Sequence, residues 1–282
     1  MNRPRAPALR QKAIGFVGAG NMGQALIKGL RESGVPAGRI RVVEADPNAA
    51  RLARMRYGVR RARLRDVARW ADALILAVKP QDLAAVLAEL AGLLGGRRSR
   101  CLVISIAAGI RIASIERALP GAAVVRVMPN LGAKVGQAVS VLARGRRVGP
   151  AERAVARAVF ACVGDALELP ERLFDIVTAV SGSGPAYFFL IFQALRDAGM
   201  RGGLPRSAAT RLAVQTALGS AALVRQAQED LDALVAQVAS KRGTTEAALL
   251  VFRERDLAGI LQAGVAAAAT RSAELSALLK RL

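Results

Sequence analysis

Two short clusters of residues have the types and spacing that chemistry requires. In GAGNMG, Gly18, Gly20 and Gly23 have G-x-G-x-x-G spacing, where the strand-forming run AIGFVG passes into a helix. Such a loop lets a pyrophosphate approach backbone amides at a helix N-terminus. In SKRGTT, residues 240–245, hydroxyl side chains surround a glycine just before the helix-forming segment EAALLVF. That arrangement suits a small anion.

Histidine is absent from the sequence. Because histidine is the most common general acid or base and the most common transition-metal ligand, its absence argues against a catalytic triad and against a metal site. No metal is predicted. Chemistry must then come from hydroxyls, lysine, carboxylates or a bound cofactor.

The composition predicts a folded cytoplasmic protein. The 282 residues are 53% apolar, enough for a substantial core. Cys101 and Cys162 lie far apart in apolar surroundings, which suits buried thiols in a reducing compartment better than a disulfide. The basic N-terminal segment lacks the apolar core of a secretory signal, and no run of 18 apolar residues follows. We therefore expect no export and no membrane span.

The net charge of +21 does not by itself predict nucleic-acid binding. The 36 arginines and six lysines are scattered over most segments of the chain. The densest basic run, residues 51–69, contains only Tyr57 as an interleaved aromatic, whereas base stacking needs more. We interpret the charge as a solvated basic face and expect no nucleic-acid partner.

Two different patterns of apolar residues along the sequence indicate two domains. Up to about residue 165, short β-type runs at 13–18, 40–44, 73–78, 101–106 and 122–127 alternate with helical segments such as PQDLAAVLAELAGLL. This alternation predicts an α/β Rossmann domain with a doubly wound, mostly parallel sheet. From about residue 170 the periodicity is helical throughout. We place the Rossmann domain at 1–168 and an all-α domain at 169–282, with the junction in GDALELPERLFD.

The cofactor predicted from the first domain is a nicotinamide dinucleotide. The loop residues Asn21 and Met22 complete GAGNMG, and Glu44 lies 21 residues beyond Gly23, a spacing typical of a carboxylate that binds the ribose. Glu44 or Asp46 would favour NAD, whereas Arg51 and Arg54 could attract the extra phosphate of NADP. The choice between NADPH and NADH stays open at this point.

Two further segments follow strands, where open α/β sheets place their ligands. The first is AVKPQ and the second is SIAAGI, whose small residues would let a nicotinamide ring lie against the backbone. Lys79 is either a surface cation or a group near the nicotinamide or substrate. The cofactor-contacting candidates in these segments are Ala77, Val78, Lys79, Pro80, Ala107 and Gly109.

With these motifs, the chain resembles the pyrroline-5-carboxylate reductase family. The resemblance rests on GAGNMG, AVKPQ, SIAAGI, VMPN at 127–130 and, above all, DIVTAVSGSGPAYFFLIFQALRDAG at 175–199. It implies that NADPH or NADH reduces 1-pyrroline-5-carboxylate to L-proline, the last step of proline biosynthesis. It also implies a helical domain that binds the small-molecule substrate and assembles the chain as a homodimer or higher homo-oligomer.

The resemblance further assigns roles within SKRGTT, which is SPGGTT in most family members. It implies that Ser240, Gly243 and Thr244 bind the substrate carboxylate and that Thr245 is catalytic, with its hydroxyl near the imine nitrogen. Lys79 is the second catalytic candidate, and Asn130 of VMPN is a cofactor residue.

The sequence also departs from the family pattern. Lys241 and Arg242 replace Pro-Gly, which puts a side chain where the backbone may need a positive φ. Leu131 and Gly132 stand where the cofactor loop normally carries Thr-Pro. These changes leave two alternatives: a paralogue with the same fold that reduces another cyclic imine or keto acid, and a non-catalytic protein that binds the dinucleotide or a partner.

Overall fold

The computed structural model of the chain describes residues 7–94, 101–227 and 229–279. The chain divides into two compact units. One unit runs through Ser183 and also includes the chain from Ala268 onward, and the other is Gly184–Ala267. The predicted boundary between the Rossmann domain and the all-α domain, after residue 168, directly follows the last strand. The assignment of these two domains stays a prediction.

The first unit is built on one sheet, which has eight strands in the described residues, in the order β3-β2-β1-β4-β5-β6-β7-β8. All neighbouring strands are parallel except β6 and β7, which are antiparallel. The strands are β1 Ile14–Val17, β2 Ile40–Val43, β3 Arg60–Arg61, β4 Ala73–Leu76, β5 Leu102–Ser105, β6 Ala123–Met128, β7 Ala138–Arg144 and β8 Gly164–Glu168.

The helices alternate with the strands up to β8 and then continue alone. The N-terminal ones are α1 Asn21–Glu32, α2 Pro47–Tyr57, α3 Leu64–Trp70, α4 Pro80–Leu94, α5 Ile112–Ala118 and α6 Pro150–Ala161. The C-terminal ones are α7 Phe174–Val177, α8 Gly184–Arg201, α9 Arg206–Gln226, α10 Leu231–Val238, α11 Thr244–Glu254 and α12 Leu257–Leu278. This pattern confirms the predicted α/β fold followed by a helical region.

Helices cover both faces of the sheet, as a doubly wound fold requires. On one face, α1 and α6 bury Leu26, Leu30 and Phe160 against β1 residues such as Phe16. On the other face, α3, α4 and α5 bury residues against β4 and β5. Strand β4 is buried along its whole length, because each face receives its own layer of apolar side chains.

Both cysteines are buried, and neither forms a disulfide. Burial raises the pKa of the Cys101 thiol to about 12, and the nearby Asp72 carboxylate contributes further. The thiol therefore stays protonated at neutral pH, and its burial agrees with the prediction of a buried thiol.

The second unit consists of helices. Helices α8 and α9 pack against each other, with an added Cβ at Gly199 only 3.2 Å from that of Ala209. Large apolar side chains remain exposed in the single chain, among them Phe188 at 59% and Leu218 at 60%. Contiguous exposed apolar side chains mark surfaces that associate with another molecule.

One helical stretch in the described part of the chain, Glu171–Arg201, is long and apolar enough to cross a membrane by length and composition alone. The core helices of soluble proteins meet the same test. The absence of a membrane span stays a prediction.

A buried ion pair ties strand β6 to the turn after β8. Arg126 of β6 is 5% exposed, and its Nη1 donates to Glu171 Oε1 at 3.0 Å. The same oxygen accepts the Ile112 amide at the start of α5, at 2.8 Å. The guanidinium also lies 4.7 Å from the Phe174 ring centroid. One carboxylate thus joins three segments of the first unit.

Glu171→Ala should lower the free energy of unfolding by about 3 kcal/mol, because it leaves a buried guanidinium and a backbone amide without their partner. Glu274→Ala is the matched control, since it removes an exposed carboxylate paired to Arg271 and should cost about 0.5 kcal/mol or less. Urea unfolding measures both. Equal losses in the two variants would contradict the structural role of Glu171.

Candidate dinucleotide site and hydroxyl loop

The glycine loop between β1 and α1 is shaped by close backbone contacts. Gly18 has a φ of 97°, and an added Cβ would lie 2.6 Å from the Ala77 carbonyl oxygen. Its amide donates to Val43 O of β2 at 2.8 Å. An added Cβ at Gly23 would lie 2.7 Å from Gly18 O. The loop is therefore a tight turn pressed against the segment that follows β4.

Gly20 differs from its two neighbours. It is the N-cap of α1 with no side-chain capping bond, and no atom of the described residues lies within 4 Å of an added Cβ. The open side and the first amides of α1, which have no acceptor within the helix, together make room for an anion. Asn21 and Met22 are the first two residues of that helix. The loop fits the pyrophosphate of a dinucleotide.

The two predicted ribose carboxylates both bind backbone amides. Glu44 accepts the Ala19 amide through Oε2 and the Asp46 amide through Oε1 at 2.9 Å. Asp46 accepts the Asn48 amide at 2.8 Å and is the N-cap of α2. Glu44 therefore lies at the glycine loop, and Asp46 has a capping role that explains its residue type without a ligand.

AVKPQ forms the wall opposite the glycine loop. Ala77 and Val78 are the residues that Gly18 approaches, and Pro80 begins α4, as predicted. Lys79 is exposed, while its carbonyl accepts the Asp82 amide at 3.0 Å. Lys79 follows Ala77 and Val78, the residues that Gly18 approaches, and this position is compatible with a ligand contact.

SIAAGI follows β5 at the same edge of the sheet. Ala107 is buried, and its amide bonds Ser105 Oγ at 3.3 Å. Gly109 has a φ of 77°, and an added Cβ would lie 2.9 Å from Leu279 Cδ1. The glycine at 109 is thus also required by the C-terminal helix that packs on this turn, a contact that sequence reasoning missed.

Asn130 organises the turn after β6. Its Oδ1 accepts the Gly132 amide at 3.2 Å and the Val139 amide at 3.3 Å. A Cβ at Gly132 would overlap the Gln137 carbonyl. Asn130 therefore holds the backbone of this loop in place through its oxygen, whatever its amide nitrogen binds.

The SGSG segment contains a feature that the sequence did not reveal. Thr178–Gly182 is a π-helical turn between α7 and α8, and an added Cβ at Gly182 would lie 2.6 Å from Met128 Cε. The turn thus packs against Met128, which is the last residue of β6 and part of VMPN. Turns of this kind are frequent at functional sites. Four small residues in a row were the available signal.

In the second unit, SKRGTT forms a turn followed by a helix. Gly243 is the N-cap of α11, which begins at Thr244, so the amides of Thr244 and Thr245 have no acceptor in the helix. Ser240 O accepts the Gly243 amide at 2.9 Å, and Glu246 accepts the Arg242 amide. The structure thus gathers Ser240, Gly243, Thr244 and Thr245 at one helix N-terminus.

A mostly parallel sheet with this glycine loop at the end of its first strand defines a Rossmann-type dinucleotide-binding protein. Residues 13–109 match the sequence model of a family described as NADP oxidoreductase, coenzyme F420-dependent. Residues 171–275 match the one described as pyrroline-5-carboxylate reductase dimerisation.

Similarity to known proteins extends over nearly the whole chain. The pyrroline-5-carboxylate reductase of Pseudomonas aeruginosa is 43% identical, over 93% of this chain and 96% of that protein, and that of Synechocystis is 39% identical, over 93% and 97%. The structure of the enzyme from Coxiella burnetii aligns with a TM-score of 0.88 at 32% identity, covering 94% and 98%. The Plasmodium falciparum enzyme, solved with NADP bound, aligns with a TM-score of 0.85 at 26% identity, covering 95% and 99%. The chain belongs to the pyrroline-5-carboxylate reductase family.

Gly20→Ala should leave the fold intact and weaken NADPH binding tenfold or more, because its Cβ enters open space that a pyrophosphate needs. The expected change in the free energy of unfolding is about 1 kcal/mol or less. Gly18→Ala is the contrasting variant, since both its φ and the Ala77 carbonyl oppose a Cβ, and it should unfold at a clearly lower temperature. Calorimetric titration and thermal unfolding test the pair. Wild-type NADPH affinity in Gly20→Ala would contradict the assignment.

Arg242 has a φ of 59°, as its replacement of a family glycine predicted. Arg242→Gly should raise the free energy of unfolding by about 1 kcal/mol, since the left-handed conformation is strained for a residue with a Cβ. Lys241→Gly is the control: Lys241 has no positive φ, so this change should be neutral or destabilising. Urea unfolding measures the free energy of unfolding of both variants. A lower value for Arg242→Gly than for the wild type would refute the claim that Arg242 is strained.

Proposed function

We propose that this chain catalyses the NADPH- or NADH-dependent reduction of 1-pyrroline-5-carboxylate to L-proline, the last step of proline biosynthesis. The observation that carries the proposal is the similarity to pyrroline-5-carboxylate reductases, at 39–43% identity, over 93% of the chain. The ranges matched by the two family models contain the dinucleotide loop of the first unit and the hydroxyl loop of the second.

The proposed reaction adds a hydride to the carbon of a C=N bond and a proton to its nitrogen. A bound reduced nicotinamide supplies the hydride. The residues of the chain then have to bind, orient and protonate the imine. An imine nitrogen takes up a proton readily, so a hydroxyl and a water relay suffice where histidine is absent.

The proposed cofactor residues belong to the turns at the carboxyl ends of β1, β2, β4, β5 and β6. The close packing of Gly18 on Ala77 and the open side of Gly20 support this assignment. Lys79 is proposed to act near the nicotinamide or the substrate, and its exposure directly after Val78, which Gly18 approaches, supports that role. The full set is Gly18, Gly20, Asn21, Met22, Gly23, Glu44, Asp46, Ala77, Val78, Lys79, Pro80, Ala107, Gly109 and Asn130.

The proposed substrate residues are those of SKRGTT. Ser240, Gly243 and Thr244 would bind the substrate carboxylate through hydroxyl and amide groups at the N-terminus of α11, where the helix dipole favours an anion. Thr245 would place its hydroxyl near the imine nitrogen. Its side chain is half-buried on the first turn of the helix, so its hydroxyl is more restricted than that of the exposed Ser240.

We further propose that the chain acts as a homodimer or a higher homo-oligomer in the cytoplasm. The match of residues 171–275 to a dimerisation family supports a homo-oligomer. The exposed apolar side chains of α8 and α9, Phe188 and Leu218 among them, are the surface that such an assembly would cover.

Thr245→Ala should lower kcat at least tenfold, because the hydroxyl assists a step that occurs only in the transition state, whereas Ser240→Ala should chiefly raise the substrate KM. Thr210→Ala is the matched control, since the hydroxyl of Thr210 donates to the Arg206 carbonyl of its own helix. Loss of reduced-nicotinamide absorbance with racemic 1-pyrroline-5-carboxylate measures all three.

The same assay tests the proposed substrate. Turnover should be highest on 1-pyrroline-5-carboxylate and lower on a six-membered cyclic imine or a dicarboxylate analogue. Faster turnover on an analogue would instead favour the paralogous activity. Unchanged kinetics in both Thr245→Ala and Ser240→Ala would refute the role of SKRGTT.

A further inference from the structure

The turn between β5 and α5, residues 105–112, is anchored at both of its ends by side-chain acceptors. At its start, the buried Ser105 accepts the Ala107 amide through Oγ at 3.3 Å. At its end, the Glu171 carboxylate accepts the Ile112 amide at 2.8 Å. The middle of the turn, which contains proposed cofactor contacts, lies against the end of the C-terminal helix.

Residues 272–279, which we call the C-terminal segment, pack on the middle of this turn. An added Cβ at Gly109 would lie 2.9 Å from Leu279 Cδ1 and 3.6 Å from Ser276 Cα. Ser276 is 2% exposed, so this face of the segment is buried. Both a side chain and the backbone of the segment therefore limit where the turn can lie, because a closely packed interior transmits a displacement.

The Asp175 carboxylate of α7 anchors the C-terminal segment. Its Oδ1 accepts the Ser272 hydroxyl at 2.7 Å and, more weakly, the Ser276 hydroxyl at 3.5 Å. The two serines are four residues apart, so they lie on the same face of α12. Hydrogen bonds to an ionised acceptor are stronger than those between neutral groups. One carboxylate is thus bound by two successive turns of the helix.

Asp175 itself lies on a rigid support. The residues on either side of it in α7, Phe174 and Val177, are 1% and 8% exposed, and they belong to the same apolar cluster as Ile110. Glu171 precedes them by one helical turn. A single short segment therefore carries one carboxylate that binds the end of the turn after β5 and another that holds the helix packed on its middle.

We infer that Asp175 is a positioning residue for the dinucleotide site: by holding the C-terminal segment, it fixes the turn at 105–112 against which the nicotinamide would lie. The inference rests on the proposed function, which places Ala107 and Gly109 at the cofactor. It goes beyond that function, since it assigns a role to a residue outside the cofactor turns. Asp175 acts through α12 and not by contact with the reacting atoms.

Hydrogen exchange tests the mechanical part of this inference with no cofactor bound. Asp175→Ala should speed exchange of the hydrogen-bonded amides of Ile106, Ala107 and Ile112 about tenfold or more, because the lost anchor lets the C-terminal segment open locally. The amides of β1 should keep their wild-type rates. Unchanged exchange in the turn would overturn the inference, as would equally fast exchange in β1, which would show general unfolding.

Three further variants separate positioning from loss of fold. Asp175→Asn keeps a side-chain oxygen that accepts both serine hydroxyls, so its exchange should stay close to that of the wild type. Ser272→Ala is a milder change that should speed the same amides to a smaller extent. Asp165→Ala is the matched control, because Asp165 is an exposed carboxylate on β8, and it should change nothing. A control effect as large as that of Asp175→Ala would refute the specific role.

The consequence for the site is a division between kcat and binding. Asp175→Ala should lower kcat about tenfold, because the reacting atoms are less well aligned. The affinity for NADPH should change much less, since the glycine loop at Gly18 and Gly20 still receives the pyrophosphate. Asp175→Asn should restore kcat. Loss of affinity without loss of kcat, or an equal loss of kcat in Asp175→Asn, would contradict positioning through the serine bonds.

The failure of this inference differs from the failure of the proposed function. If Asp175→Ala frees the turn in hydrogen exchange but the wild type reduces no imine, Asp175 holds the turn as inferred and the reaction is wrong. If the wild type reduces 1-pyrroline-5-carboxylate and Asp175→Ala changes neither the exchange nor kcat, the reaction stands and the positioning role is wrong.

Discussion

The approach of one backbone segment to another at the carboxyl edge of the sheet is the constraint on which the cofactor half depends. Gly18 leaves β1 with a positive φ and passes so close to Ala77 and Val78 that no Cβ fits between them. Gly23 then brings α1 down onto Gly18. These contacts fix where α1 starts and leave Gly20 with an open side. At Gly18 and Gly23 the neighbouring backbone excludes a Cβ, whereas the space beside Gly20 is open and could admit a phosphate.

The carboxylates at this edge of the sheet form hydrogen bonds with backbone amides. Glu44 and Asp46 are both carboxylates beside the glycine loop, yet each binds main-chain amides. Asn130 holds the loop after β6 in the same manner. Arg61 of β3 likewise binds the main chain, since its Nε donates to the Glu44 carbonyl at 3.1 Å. The polar residues of this region that bind main-chain groups therefore shape its loops.

The sequence predicted the fold wherever apolar residues form continuous runs. The five predicted strands are the parallel core of the sheet, because strands buried on both faces consist of such runs. It missed β3, which is two exposed arginines, and β8, whose alternating exposed residues look like a linker. It also missed β7, whose alanines and serine carry little strand preference. The glycine loop followed from local sequence, and the positive φ of Arg242 followed from the resemblance to a family that carries glycine at this position. The contact of Leu279 with Gly109 and the Arg61 bond to Glu44 join residues distant in sequence, and no local pattern encodes them.

The two units contain similar chemistry at their candidate sites. In each, a glycine is the N-cap of a helix and the first amides of that helix are left without acceptors. In the first unit, the neighbouring glycines would allow the backbone itself to approach an anion. In the second, serine and threonine side chains add hydroxyls, and a strained arginine stands where the family carries glycine.

The path of α12 has a consequence for how the chain matures during synthesis. The Ser272 hydroxyl bonds the Asp175 carboxylate at 2.7 Å, and Leu279 packs on Gly109, so the last helical turns belong to the first unit. The helical residues 184–267 are thus an insertion within the dinucleotide-binding unit. A ribosome that has translated only the Rossmann sequence has not yet produced the segment that packs on the turn after β5. The first unit, whose sequence is translated first, therefore receives its last helical turns only after residues 184–267 have been translated.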